Sequence, residues 1–199
     1  WNLAKGEKTK TFKLPYWIFS IAFHPDGKTL AAATRDHAAI IIDAESGRIL
    51  REFRRHSDTV FAVAFSPDGK RLATGSADLT IKIHDLTTNS LLATLNGSQQ
   101  DVKSISFSPD GKVLASTGLD RTIRLWDADS GRQIRTLNNP PGDLTVTELA
   151  PEGKLLDMLV SDRMFSGSLV AFSPDGRTLA ATVGGFGTAR IGSQDKIAK

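Results

Sequence analysis

Four histidines, His24, His37, His56 and His84, are available to a chain of 199 residues that has no cysteine. His56 lies near Ser76 and Asp78 in sequence. Histidine, serine and aspartate are the types a hydrolytic triad uses, with the hydroxyl attacking, the imidazole taking its proton and the carboxylate holding the ring. Recurrence argues against that chemistry. Asp36, Asp78, Asp120 and Asp162 fall 42 residues apart, and a catalytic constellation is built once rather than once per repeat. Metal chemistry has no better support. The histidines lack paired HxxxH-type spacing, and the acidic residues sit singly, with no DxDxDG calcium loop. Gly185-Phe186-Gly187 runs on to Arg190, where a dinucleotide fingerprint needs glycine. There is no GxSxG elbow and no GxxxxGK[ST] loop. Without cysteine, disulfides, thiolate catalysis and cysteine metal sites are excluded together. No catalytic residue, metal or cofactor is expected within the chain.

The elements that would position these residues come from one recurring phrase, Phe65-Ser66-Pro67-Asp68-Gly69-Lys70. It returns as Phe107–Lys112, as Phe23–Lys28 with His24 for serine, and as Phe172–Arg177 with arginine last. Another step of 42 from Phe107 reaches Leu149 and a worn copy, Pro151-Glu152-Gly153-Lys154. A fixed phrase with a period near 40 marks a repeat array. Ahead of the phrase, Val60-Phe61-Ala62-Val63-Ala64-Phe65 has the β-branched and aromatic content of a strand covered on both faces. Pro67 sets φ for the first turn position, Asp68 can bond its own backbone, and Gly69 takes the positive φ. Arg71–Ser76, Thr80–His84 and Ser90–Leu95 then read as a second, third and fourth strand. Each repeat is therefore expected to be one small antiparallel sheet.

Leu114-Ala115-Ser116, Asp120-Arg121-Thr122-Ile123-Arg124-Leu125-Trp126-Asp127 and Gly131-Arg132 resemble the consensus of the WD-repeat β-propeller family. SPDG turns alone also occur in other propellers, such as the TolB-like ones; the 42-residue period together with TIRLWD is the stronger mark. The SPDGK turns also resemble those of bacterial multi-domain WD-repeat proteins. The resemblance implies an all-β fold of four-stranded blades, here an incomplete arc of about four to five. The expected division is residues 1–14 as the end of a preceding blade, with 7–14 its outer strand. Blades follow at 15–53, 54–95 and 96–137, a degenerate blade at 138–166 and a partial one at 167–199. The degenerate unit would hold strands at 144–149 and 154–160, with remodelling over 163–167, because the next phrase comes only 23 residues after Leu149. Trp1-Asn2-Leu3 followed by Gly6 is similar to Trp126-Asp127-Ala128 followed by Gly131, so the chain is expected to open inside a blade of a longer polypeptide.

The same resemblance implies roles for the histidines. In the family a histidine before the inner strand, a serine or threonine on the second, the turn aspartate and the tryptophan form a hydrogen-bonded chain. His56, Ser76 and Asp78 match three of these positions, with His84 in place of tryptophan. The third blade has Asp120 and Trp126 but Ser98 for histidine; the first has Asp36 but Leu14 and Ile42. The resemblance also implies that partners meet the face where inner strands begin. In phase there are Phe19, Phe61, Lys103, Thr145 and Ser168, with Tyr16 and Trp17 beside the first, and Arg35, Ala77, Leu119 and Ser161 before the turn aspartates. Aromatic residues are enriched at interaction hot spots, though Phe19 and Phe61 fit packing between blades equally well.

Composition agrees with a globular chain, 40% hydrophobic and 24% charged. The net charge of +3 is mixed along the sequence. The nearest approach to a basic stripe, Arg51, Arg54 and Arg55, reads as a solvated outer strand, so no nucleic-acid partner is expected. No apolar run nears the ~20 residues of a membrane span, and no signal peptide is visible. The expected function is a non-catalytic scaffold for a protein or peptide partner, cytoplasmic, with the remaining blades of its parent closing the ring. The alternative is a regulatory or substrate-gating domain of a larger hydrolase or kinase.

Overall fold

Runs rich in Val, Ile, Ala and Thr punctuated by glycine turns give strands at the expected period. The computed structural model describes residues 6, 8–120, 122–138, 144–148 and 169–182, without the side chains of 138, 144–148 and 182. The expectations for Trp1 to Leu3, Leu149 to Lys154, strand 154–160, Ser161, Asp162, 163–167, Ser168 and the stretch after 182 lie outside the described residues. Blade one pairs β1 (Ile18–Phe23), β2 (Thr29–Thr34), β3 (Ala39–Asp43) and β4 (Ile49–Phe53) in that order. Blade two does the same with β5 (Val60–Phe65), β6 (Arg71–Ser76), β7 (Thr80–Asp85) and β8 (Leu91–Asn96). Blade three uses β9 (Val102–Phe107), β10 (Val113–Gly118), β11 (Thr122–Asp127) and β12 (Gln133–Asn138). All neighbours are antiparallel.

The repeated phrase closes as its residues require. The Gly69 N–H donates to the Ser66 carbonyl at 2.9 Å, and Gly69 sits at φ 71°, a left-handed conformation that costs glycine little. Ser66 Oγ donates to Asp68 Oδ1 at 2.6 Å and accepts from the Arg71 N–H at 2.9 Å. Ser108 with Asp110 and Ser173 with Asp175 repeat both bonds. In blade one His24 replaces the serine, and Nε2 reaches across to the Gly69 carbonyl at 2.9 Å. Its Nδ1 accepts from the Asp26 N–H at 3.2 Å, so that substitution adds a stitch between blades to the local clasp.

The core lies in the seams. Val60, Val63 and Leu72 of blade two pack on Ala31, Ala33, Ala39, Ile41 and Phe53 of blade one. Val102, Ile105, Phe107 and Leu114 of blade three pack likewise on Ala62, Ala73, Ile81, Ile83 and Leu95. Each large side chain so covered contributes about 1.5–3 kcal/mol. The equivalent positions of blade one, Ile21 and Phe23, are both 65% exposed.

Two stretches differ from expectation. Residues 8–14 are not a strand; an outer strand needs a third strand to pair with, and none lies beside it among the described residues. Leu14 and Tyr16 instead pack on Ala32, Ile40 and Ile42. The second difference is β13 (Leu144–Glu148), which does not open a separate unit. It pairs with β15 (Thr178–Thr182), whose other edge holds β14 (Leu169–Phe172). Its backbone thereby satisfies an edge that a third strand would have taken. Val170, Leu179 and Ala181 pack on Ala115, Ile123 and Leu125, so this sheet follows blade three directly as the fourth of the arc.

Candidate interaction face

Within blade two a polar line runs from one end of the sheet into the seam. His56 Nδ1 lies 2.8 Å from Asp78 Oδ2, His56 Nε2 lies 2.7 Å from Thr74 Oγ1, and Thr74 Oγ1 lies 3.2 Å from His84 Nε2. With both imidazoles neutral the polarity is consistent throughout. His84 donates to Thr74, Thr74 donates to His56, and His56 donates to Asp78. Asp78 further accepts from Thr80 Oγ1 at 2.7 Å and from the N–H groups of Thr80 and Ser57. Burial alone would raise the Asp78 carboxyl, but Thr80 and His56 outweigh it and hold it below its usual value. Burial pushes His56 down, against the pull of Asp78. Burial, together with repulsion from a protonated His56 and from Arg55 and Lys82, pushes His84 down to about 3. The line is therefore neutral at its inner end and anionic at its outer end. Its hydroxyl is spent between two rings, so it holds the blade and offers no nucleophile.

Ser76 is not the hydroxyl in that line. Its Oγ donates to the Asp58 and Thr59 carbonyls and accepts from the Asp78 N–H, which fixes the turn instead. Phase explains the correction: Thr74 is equivalent to Ser116, whereas Ser76 is equivalent to Gly118, which has no hydroxyl. In blade three Trp126 Nε1 donates to Ser116 Oγ at 2.8 Å. Asp120 takes Arg124 Nη1 at 2.7 Å and the Gln99 N–H at 3.0 Å, while Ser98 Oγ is 3.4 Å away. Arg124 thus fills the place of the missing histidine. In blade one Asp36 keeps its phase but not the network. It is exposed, and among the described residues only its carbonyl is bonded, by Arg54, because Leu14 and Ile42 offer its carboxylate no donor.

These lines brace the end of the sheets where inner strands begin. The Arg35 N–H donates to the Trp17 carbonyl at 3.0 Å, Thr59 Oγ1 to the Arg35 carbonyl at 3.3 Å, and the Ala77 N–H to the Thr59 carbonyl at 2.9 Å. One frame thus ties the turns of blades one and two. On it Trp17 is 71% exposed, with the Arg35 guanidinium over its ring at 5.6 Å. Tyr16 is half-buried and donates to Glu52 Oε1 at 3.2 Å. Phe19 meets Phe61 edge to face at 5.0 Å, and Lys103 caps the Phe61 ring while pairing with Asp101 at 2.9 Å. Leu119 is half-buried and its N–H donates to the Asp101 carbonyl. The structure brings Trp17 to Arg35, and Phe19 to Phe61 and Lys103; Phe19 and Phe61 bridge blades, so they serve packing as well as surface.

Three residues escape a reading from sequence alone: Thr74, Arg124 and Leu79. Leu79 is 40% exposed at φ 70° in the turn of blade two, a conformation that costs a leucine free energy. Its phase partner His37 is also left-handed, at φ 62°, so the conformation belongs to the turn of the repeat and neither residue type announces it.

Two family models match. The WD domain, G-beta repeat model covers residues 47–85 and 89–127, and the anaphase-promoting complex subunit 4 WD40 domain model covers 7–65. Solved structures described as "Structure of U3-55K" and "Crystal structure of RRP9 WD40 repeats" each match at TM-score 0.62 and 27% identity over 68% of this chain. The chain spans 43% of the length of each. Comparison with curated proteins finds no match. With its blades, turns and repeat models in agreement, the chain belongs to the WD-repeat family.

Proposed function

We propose that the chain is a non-catalytic scaffold that docks a protein or peptide partner on the face where its inner strands begin. One observation carries this: Trp17, the most exposed large apolar side chain among the described residues, stands on a hydrogen-bonded frame under Arg35 and closes no seam among them. An exposed aromatic held rigid loses little entropy on binding and is a usual anchor of interfaces. The non-catalytic part rests on the buried histidine line, whose members are bonded to one another. We further propose that residues 15–53, 54–95 and 96–137 act as blade units and that more blades of the same kind cover Ile21 and Phe23. Their equivalents Val63, Ile105 and Phe107 are each buried by the preceding sheet.

A displayed library of short random peptides, panned against the chain, tests the docking reading. Selected peptides are expected to lose about tenfold or more in affinity on Trp17→Ala, with the melting point unchanged. Peptides that bind Trp17→Ala as well as the parent would overturn it.

A further inference from the structure

The charges around Trp17 are mostly spent. On the same end of the sheets Arg54 pairs with Glu52 at 2.9 Å and Lys103 with Asp101 at 2.9 Å. Arg35 has no carboxylate within reach among the described residues, and its guanidinium donors are unspent above the Trp17 ring. Its backbone is held at both N–H and carbonyl, so the cation is aimed before any partner arrives. In the next turn of the frame lies Leu79, apolar and exposed. We infer that the partner of this face is a peptide segment that sets a carboxylate on Arg35, an apolar side chain on Trp17 and a second apolar side chain towards Leu79. The inference rests on the docking reading above and adds the chemistry of the partner.

A single-stranded nucleic acid also stacks on tryptophan and pairs with arginine, but it needs a run of cations along its backbone. Here exposed Asp36 and Asp58 stand on the same face, and two of its cations are already matched by carboxylates. Arg55, on the link from β4 to β5, is also exposed and without a carboxylate partner among the described residues. One carboxylate suits such a face better than a chain of phosphates.

The test uses the full chain, the peptides selected by panning, and a thymine oligonucleotide as second probe. Selected peptides are expected to be enriched in Asp or Glu next to Leu, Phe or Trp. Arg35→Glu should weaken the best of them by about tenfold to a hundredfold, the size of a charge-assisted hydrogen bond. Replacing the peptide's acid by lysine should restore binding to Arg35→Glu, and Leu79→Ser should weaken the original peptide several-fold. Peptides that depend on Trp17 but show neither acidic enrichment nor sensitivity at Arg35 would overturn this inference and leave the docking reading standing. Peptides indifferent to Trp17 would sink both. Trp17-dependent binding of the oligonucleotide at physiological salt, tighter than that of any peptide, would overturn the peptide assignment.

Discussion

Blades two and three fill the same five positions with different chemistry. Blade two has His56, Thr74, Asp78, Lys82 and His84, where blade three has Ser98, Ser116, Asp120, Arg124 and Trp126. Both keep the aspartate in the turn and a hydroxyl on the second strand. The donor to the aspartate changes from an imidazole to a guanidinium, and the group on the hydroxyl changes from imidazole to indole. What the repeat preserves is therefore a pair of acceptors at fixed places, while any side chain that can bring a hydrogen to them is admitted. The consequence is electrostatic. Blade two is braced by groups that can gain a proton, blade three by a cation that keeps its charge.

The largest effect should come from deleting the acceptor on the fixed-charge side. Arg124 and Asp120 have side chains only 8% and 7% exposed, so Asp120→Ala strands a buried cation. The expected loss is about 3–5 kcal/mol. Asp78→Ala strands His56, which can stay neutral, and should cost about 1–3 kcal/mol. Denaturant melts of the two variants at neutral pH make the comparison. An equal loss, or no shift in the Asp78→Ala melting point, would break it.

Acid should separate the blades next. Buried, and repelled by a protonated His56 and by Arg55 and Lys82, His84 sits at about 3 against its ordinary 6.5. Above 6.5 both folded and unfolded chains hold it neutral, and stability does not depend on its titration. Below that value the unfolded chain takes a proton that the folded chain refuses, so stability falls by about 1.4 kcal/mol per pH unit. By about pH 5 the loss from His84 is roughly 2 kcal/mol, and His56, also held down by burial, adds in the same direction. The stability Asp78 lends is lost only at lower pH, as its own depressed range is crossed. His84→Phe should flatten the slope between neutrality and about pH 5 by close to that 2 kcal/mol. It also removes a ring whose buried Nδ1 has no partner among the described residues. Unchanged pH dependence in His84→Phe would show that the imidazole titrates freely in the folded chain.

Much of this was legible before any coordinates. The period, the turn phrase and the β-branched runs specify sheets because each is a local cause: Pro67 and Gly69 fix a turn whatever surrounds it. The site was less legible because partners across a seam leave no local trace. Ser76 looked like the network hydroxyl from its place near Asp78, yet the geometry selects Thr74, two residues back on the same face of the strand. Arg124 carries no mark in the sequence of its burial against Asp120. At the chain's far end, β13 pairs with whichever edge lacks a strand, and such a choice depends on what is missing rather than on its own residues.

The smallest effect bears on why blade two has histidine where blade three has tryptophan. In blade three the indole lies beneath Gly97, where an added Cβ would come within 3.3 Å of the Trp126 ring, and Gly97 holds φ 147°. The residue in phase with Gly97 in blade two is Arg55, and Phe53, in phase with Leu95, lies 4.8 Å from the His84 ring. Blade two thus offers less room, and His84→Trp should be overpacked by about 1 kcal/mol, the low end for such changes because Arg55 is flexible. Arg55→Gly, at an exposed link, should cost less than about 1 kcal/mol alone. In the double variant the loss at His84→Trp should vanish, giving a coupling of about 1 kcal/mol in a double-mutant cycle. Strict additivity would mean that room at position 55 does not decide the choice. The exchange of tryptophan for histidine would then follow from the hydroxyl alone, and Thr74→Ser rather than Arg55→Gly would be the substitution that lets blade two accept the indole.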